Sequence, residues 1–254
     1  MAVKIAGFLC VFLLASCPFA VGQSHNSSSS HHWSYSGEGG PEHWVSLDSK
    51  FAACKTGQAQ SPIDIKTATT AELPALQFDY HPSPLNIVDN GHTIMVTYAP
   101  GSTLKVGDKV YELKQFHFHH PSEEQIDGKP SDMVAHLVHQ DSKGHLAVVA
   151  VLLKTGSPNS VLDVLWSHLP KEKDQTISVP DVINVANLLP ASRGYYTYSG
   201  SLTTPPCTEG VRWFVLKQTV EASPQQVQAF AKLYPDNARP VQPLHGRTVQ
   251  ETGN

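Results

Sequence analysis

The chain has 254 residues, of which 40% are hydrophobic, and a formal net charge of −4 at pH 7. This length and composition are sufficient for a buried core in one large domain or two small ones. The negative net charge and the lack of a lysine and arginine cluster argue against nucleic acid or an anionic membrane surface as the main partner. A small neutral or anionic substrate is compatible with both features.

Residues 1–22 have the pattern of a secretory signal peptide, with a basic start at Lys4 and an apolar run over Ile5–Ala15. We therefore expect a secreted or periplasmic protein from which this segment is removed. A membrane anchor is the alternative, but the apolar run is shorter than the roughly 20 residues that cross a bilayer, so no membrane span is expected. A lipobox-like stretch ending at Cys17 suggests lipoprotein anchoring as a further alternative.

Residues 23–32 form a polar spacer rich in serine and histidine, and we predict a disordered linker there. Asn26 begins a glycosylation acceptor that matters only in a eukaryotic secretory host. The spacer histidines suggest weak metal binding or zinc storage as a minor alternative. No repeat or break in composition follows, so a single domain is predicted over residues 33–254.

Two cysteines remain after removal of the leader, Cys54 and Cys207. In an oxidising compartment they allow one disulfide, and two free buried thiols are the alternative.

Short runs of alternating or β-branched residues, separated by turn sequences, dominate the predicted domain. The predicted strands are Thr93–Tyr98, Thr103–Val106, Lys109–Phe118, Val134–His139, Leu146–Leu153 and Val211–Gln218. Helical periodicity is confined to Ser160–His168, which Asn159 can cap, and Pro224–Leu233. This pattern predicts a mainly β fold, a β-rich α+β protein with short helices.

The segment QFHFHHPSEE, residues 115–124, contains three histidines in four positions. Side chains alternate along a strand, so His117 and His119 share one face while His120 points to the other. If the VAHLVH strand pairs antiparallel with this one, His136 stands beside the first two. Three neutral histidines with a vacant fourth position are the ligand set of a catalytic zinc site, and ordinary polar residues on a strand are the alternative.

Several segments, taken in this order, resemble the α-class carbonic anhydrases and in particular their secreted and bacterial members. They are HHWSYSGEGGPEHW, QSPIDI, NGHTIMVTY, QFHFHHPSEE, HLVH, LAVVAVLLKTG, YYTYSGSLTTPPCTEGVRWFVL and NARPVQPLHGR. The resemblance covers the chain beyond the leader almost from end to end. It implies a single domain around a twisted, mostly antiparallel sheet of about ten strands, a zinc ion at the bottom of a conical cleft, and pairing of Cys54 with Cys207.

The resemblance also implies the activity, which is reversible hydration of carbon dioxide to bicarbonate and a proton by attack of zinc-bound hydroxide. It places the Zn²⁺ ligands at His117, His119 and His136. Sulfonamides and anions are then the expected inhibitors at the zinc. The sequence leaves the oligomeric state open, a dimer included.

Further roles follow from the same resemblance. Thr203 and Glu123 match the pair that orients the attacking hydroxide, and His92 matches the histidine that shuttles protons to buffer. Carbon dioxide is apolar and needs an apolar wall beside the metal. The positions that match the wall and its neighbouring pocket are Val138, Val148, Leu202, Thr204, Val211 and Trp213.

Two of the three metal ligands have a matching residue to hold them. Gln115 matches the support of His117, and the backbone carbonyl of Asn237 matches the acceptor for His119. Such partners fix the tautomer and the orientation of a ligating imidazole.

The third support is missing from its usual place. Family members usually carry a glutamate two residues before the third ligand, where this chain has Val134, and Glu124 stands where a histidine is common. We therefore predict an active enzyme in which His136 is less well anchored.

Two other functions remain as alternatives. The first is a catalytically silent, carbonic-anhydrase-like binding protein. Such relatives typically lose a zinc histidine, whereas this chain keeps all three. The second is hydrolysis of activated esters as a side activity of the same site.

Overall fold

The structure is a computed structural model, and it describes Met1 and residues 32–253. The expected signal peptide beyond Met1, the lipobox-like stretch and all but the last residue of the expected linker lie outside the described residues. Beyond Met1, the described part of the chain runs over residues 32–253.

This part of the chain contains sixteen strands, four short α-helices and three 3-10 helices. The strands are β1 (Asp64–Ile65), β2 (Thr69–Ala71), β3 (Leu76–Asp79), β4 (Ser83–Asp89), β5 (Ile94–Thr97), β6 (Thr103–Val106), β7 (Lys109–His119), β8 (Gln125–Ile126), β9 (Lys129–Pro130), β10 (Met133–Gln140), β11 (Leu146–Thr155), β12 (Thr176–Ile183), β13 (Tyr195–Ser201), β14 (Glu209–Leu216), β15 (Val220–Ala222) and β16 (Gln250–Thr252). The α-helices are α1 (Trp44–Leu47), α2 (Ala53–Thr56), α3 (Ser160–Ser167) and α4 (Pro224–Leu233), and the 3-10 helices are Gly37–Gly39, Ser49–Phe51 and Val185–Leu188.

One large sheet dominates the fold. Ten strands follow one another across it in the order β12-β4-β5-β7-β10-β11-β14-β13-β16-β2, and β3, β6 and β15 attach beside this path. Most pairs are antiparallel, whereas β11 with β14, β11 with β15 and β16 with β2 are parallel. Strands β1, β8 and β9 form a separate small sheet. The mainly β prediction, with about ten mostly antiparallel strands, is confirmed.

The predicted elements agree with the structure to within two residues at each end. Helix α3 begins where expected because the Asn159 side chain accepts hydrogen bonds from the N–H groups of Val161 and Leu162. Helix α4 begins with a capping box formed by Ser223 and Gln226. The periodic pattern and the caps therefore predict these elements correctly.

The sheet buries a separate hydrophobic cluster on each of its faces. Phe116, Phe118 and Leu137 belong to the larger cluster, and Val148 and Trp213 belong to the smaller one. Because side chains alternate along β7 and β10, the face that carries the three candidate ligands is the face of the smaller cluster.

The expected disulfide joins Cys54 of α2 to Cys207, 153 residues later in the sequence. Cys207 lies in the loop between β13 and β14, which also carries Thr203 and Thr204. The disulfide therefore fastens the amino-terminal part of the domain to this loop.

Candidate metal centre

Antiparallel pairing of β7 and β10 brings the three candidate ligands together. His136 stands opposite His117 in the register, and its ring lies 5.4 Å from that of His117 and 4.8 Å from that of His119, measured between centroids. One nitrogen from each ring lies within 4.8 Å of the others. The sheet thus presents three imidazoles to one point, as the alternation of the sequence predicts.

Hydrogen bonds at the rear of two rings decide which nitrogens face this point. His117 Nδ1 lies 2.9 Å from Gln115 Oε1, and His119 Nδ1 lies 2.7 Å from the backbone oxygen of Asn237. Both acceptors require Nδ1 to carry the proton, so Nε2 of each ring keeps a free lone pair. His119 Nε2 is buried and has no hydrogen-bond partner among the described residues.

The third ring is held by Glu124, and our expectation of a poorly anchored His136 is wrong. His136 Nε2 lies 2.9 Å and 3.2 Å from the two carboxylate oxygens of Glu124, which is completely buried. Val134 occupies the usual glutamate position with an apolar side chain, but the carboxylate arrives from elsewhere in the chain. His136 Nδ1 is left to face the other two histidines.

The electrostatic environment differs among the three rings. Burial, together with His136, lowers the pKa of His117 to about 3 and that of His119 well below its ordinary value. Burial also acts to lower the pKa of His136, but the Glu124 carboxylate and then Glu123 outweigh it, so this pKa is raised. His117 and His119 are therefore neutral imidazoles at neutral pH, with the Nε2 lone pair free, as metal ligands must be.

The donor set fits zinc. Three imidazole nitrogens converge, and one of them, His119 Nε2, is buried without a partner. Three histidine ligands are a set found in catalytic zinc sites, which keep the fourth position for water or substrate. His120 takes no part, since its Nδ1 lies 2.8 Å from the backbone oxygen of Pro235. This agrees with the expectation that His120 faces away.

Glu123 lies beside the three rings. Its Oε2 atom is 3.6 Å from His119 Nε2 and 3.8 Å from His136 Nδ1, and its Oε1 atom accepts a hydrogen bond of 2.8 Å from the backbone N–H of Arg239. Burial raises the pKa of Glu123 to about 7, against the opposing effects of His136, Thr203 and the Arg239 N–H. Thr203 is 5% exposed, and its side chain is a hydrogen-bond partner of Glu123.

The residues expected to form an apolar wall come together next to the point where the three histidine nitrogens converge. Val138, Val148 and Trp213 are neighbours across three adjacent strands, and the Trp213 ring lies 4.9 Å from that of His136. Val211 belongs to the same cluster, and Leu202 packs against it. Thr204 follows Thr203 in the loop and is half-buried.

The expected proton shuttle lies in an aromatic stack. The His92 ring is parallel to that of Trp33 at 3.6 Å between centroids, and His32 stacks on His92 at 4.9 Å. Burial, followed by the charges of His32 and Lys173, lowers the pKa of His92 to about 4. His32, the last residue of the expected linker, is thus in contact with the candidate shuttle.

Sequence reasoning missed two residues that organise this site. The Glu124 contact could have been inferred by reading two departures together, a carboxylate absent at position 134 and one present at position 124. Arg239 was not singled out, although its guanidinium donates to Gln60 Oε1 and to the backbone oxygens of Ser61 and Cys54. Arg239 thereby links the Glu123 carboxylate to the disulfide region.

The model of the eukaryotic-type carbonic anhydrase family matches residues 39–253. A carbonic anhydrase from Nostoc sp. is 44% identical over 225 residues, which cover 86% of this chain and 85% of the relative. A carbonic anhydrase from Pectobacterium carotovorum is 41% identical over 244 residues, covering 96% of this chain and 98% of the relative.

Among solved structures, the chain is similar to the α-carbonic anhydrase of Thermovibrio ammonificans, determined in complex with the inhibitor sulfanilamide. The TM-score is 0.84 at 45% sequence identity, and the match covers 86% of this chain and 98% of that one. No helix among the described residues is long and apolar enough to cross a membrane.

Proposed function

The chain belongs to the α-class carbonic anhydrases and catalyses the reversible hydration of carbon dioxide, and we propose that His117, His119 and His136 hold its zinc ion. The observation that carries this proposal is the convergence of three ring nitrogens whose opposite nitrogens are all engaged in hydrogen bonds. When bound, zinc acts as a Lewis acid that activates a water molecule at neutral pH, behaviour for which carbonic anhydrases are themselves the standard example. A catalytically silent role is disfavoured because the ligand set is complete.

Glu123 and Thr203 orient the oxygen nucleophile. A carboxylate that accepts a hydrogen bond from the Thr203 hydroxyl leaves the threonine oxygen free to accept a hydrogen bond from the centre of the site. The Arg239 N–H at 2.8 Å favours the ionised form of Glu123, which this role requires. Ligands at the metal that cannot donate a hydrogen bond to Thr203 are thereby disfavoured.

The apolar wall binds carbon dioxide by exclusion of water. Val138, Val148 and Trp213 offer no hydrogen bond towards the site, because the Trp213 Nε1–H is already donated to the backbone oxygen of Ser201 at 3.0 Å. Leu202 and Val211 complete the wall, and Thr204 supplies a polar edge beside Thr203. An apolar substrate held there lies next to the three rings.

His92 moves the proton from the site to buffer. In its stack on Trp33 the ring is neutral at physiological pH, since its pKa there is about 4. An imidazole with an ordinary pKa near ~6.5 both takes up and releases protons around neutrality. The proposed shuttle role therefore requires the His92 ring to leave the stack and become solvated.

The chain is exported, and the active site binds sulfonamides. The leader-like residues 1–22 and the bacterial relatives support export. The sulfanilamide complex of the Thermovibrio ammonificans enzyme, at 45% identity, supports sulfonamide binding.

The test is a stopped-flow assay of carbon dioxide hydration with matched zinc analysis of the purified protein. We expect one zinc ion per chain, hydration activity, inhibition by sulfanilamide, and loss of both zinc and activity in His119→Ala. The matched control is His120→Ala, which removes the neighbouring histidine and should retain both. A zinc-free active protein, or a His119→Ala variant that keeps its zinc, would contradict the proposal.

A further inference from the structure

Glu124 and Val134 depart together from the pattern of the family, and they lie on either side of one metal ligand. We propose that Glu124 is the positioning residue of His136, so that the carboxylate which orients the third ligand comes from the segment after β7 and not from the ligand's own strand. Val134 is then the apolar residue that accompanies this arrangement at the usual position of the carboxylate. The inference rests on the proposed zinc site and deepens it.

The first support is the geometry of the contact. Both carboxylate oxygens of Glu124 lie within hydrogen-bond distance of His136 Nε2, at 2.9 Å and 3.2 Å, and neither residue is more than 1% exposed. Charge-assisted hydrogen bonds of this kind are stronger than neutral ones. The contact keeps the proton on Nε2 and directs the lone pair of Nδ1 towards His117 and His119.

The second support is that the backbone on both sides of Glu124 is fixed. The Ser122 hydroxyl donates to the backbone oxygen of Glu124 at 2.7 Å and accepts from the backbone N–H of Ser131 at 2.8 Å. On the other side, Gln125 begins β8 and pairs with Asp64 of β1. The carboxylate is therefore delivered by a rigid segment, as a positioning role requires.

The third support is the environment of Val134. It lies on the same face of β10 as His136, is completely buried in the smaller cluster, and stands opposite His119 in the register. A neutral imidazole that gives one nitrogen to a metal has a single N–H left to donate. A second carboxylate at position 134 would therefore be a buried charge without a donor, which is costly, so an apolar residue is the complement of Glu124.

The test compares zinc release from the loaded protein into a competing chelator. For Glu124→Gln we expect release about 10-fold to 100-fold faster, the range typical for loss of a group that holds a metal ligand. The matched control, Glu172→Gln, removes an exposed carboxylate and should release zinc at the parent rate. Thermal unfolding of the zinc-free forms separates positioning from a general loss of stability, because the zinc-free parent and Glu124→Gln should unfold at similar temperatures.

The exchange of the two residues sharpens the test. Glu124→Val alone should release zinc rapidly, and the double variant Glu124→Val, Val134→Glu should recover most of the parent retention by returning a carboxylate to the ligand's strand. The His136 Nε2–H signal in the ¹H–¹⁵N spectrum of the zinc-loaded protein should be present in the parent and shifted in Glu124→Gln.

Three outcomes would overturn the inference. They are release at the parent rate in Glu124→Gln, an unshifted His136 signal in that variant, and a double variant that releases zinc as fast as Glu124→Val. A parent protein without zinc would overturn the proposed function together with this inference. Any of the three outcomes in a zinc-loaded parent would overturn this inference alone, so the two failures are distinguishable.

Discussion

His136 and His139 lie three residues apart on β10, and both are buried, but they face opposite sides of the sheet. His136 has a carboxylate, Glu124, at one nitrogen and the other two candidate ligands at the second. His139 uses both nitrogens within the larger cluster, with Nε2 2.7 Å from the Tyr80 hydroxyl and Nδ1 3.3 Å from the backbone oxygen of Ala147.

The pKa values differ in the same way. Burial lowers the pKa of His139 to about 4, whereas the Glu124 carboxylate overcomes burial and raises the pKa of His136. A buried histidine whose two nitrogens both make hydrogen bonds is a structural residue. A buried histidine with one nitrogen facing other ligating nitrogens is a candidate metal ligand. The distinction depends on partners and not on burial or on the strand.

The strongest way to break this comparison is to remove each histidine in turn. We expect His136→Ala to lose stoichiometric zinc and with it carbon dioxide hydration, because two imidazoles remain where three are needed. His139→Phe should keep one zinc ion per chain. Metal analysis after gel filtration measures both, and equal zinc content in the two variants would remove the distinction.

Tyr80→Phe tests the structural role of His139 alone. It leaves His139 Nε2 buried without its partner, so the free energy of unfolding should fall by roughly 1–3 kcal/mol in denaturant titrations. Tyr111→Phe is the matched control, because its hydroxyl makes no hydrogen bond to the described residues. Zinc content should be unchanged in both, and a loss of zinc in Tyr80→Phe would show that the two faces are coupled.

The pH dependence of stability should report on His139. Its pKa is about 4 in the folded protein and near ~6.5 in the unfolded chain, so the unfolded chain binds the proton more readily between these values. The contribution of His139 to the free energy of unfolding should therefore be fully present above pH ~6.5 and be lost as the pH decreases towards 4.

Denaturant titrations of zinc-loaded protein across this range should show a shallower fall in His139→Phe than in the parent. His43→Gln, at an exposed position, should follow the parent. Parallel curves for parent and His139→Phe would contradict the assignment.

The smallest expected effect is a change in the pKa of His92, a third histidine, which is held by stacking on Trp33. Trp33→Ala should raise the pKa of His92 towards ~6.5, since burial is the largest cause of its low value, and His32→Ala should raise it less. Titration of the ring protons by NMR measures both shifts. A pKa that stays near 4 without Trp33 would mean that the stack does not set it.

Much of this arrangement follows from local rules. The two-residue period of a strand separates His117 and His119 from His120, and antiparallel pairing brings in His136, so the ligand set is predictable from a short stretch of sequence. Resemblance adds Gln115, whose contact is equally local.

What could not be predicted depends on the path of the chain beyond the strands. Glu124 follows the end of β7, where alternation no longer predicts direction, and its approach to His136 is set by Ser122, Ser131 and the small β1–β8 sheet. The contact of His32 with His92 likewise joins segments 60 residues apart, with no signal in either one.

The most direct test of the zinc site is a crystal structure of the purified protein with anomalous data collected on both sides of the zinc absorption edge. We predict one strong zinc peak at about 2.0–2.1 Å from His117 Nε2, His119 Nε2 and His136 Nδ1. A peak bound through His136 Nε2, a peak at other histidines, or no zinc peak between the three rings would contradict the account.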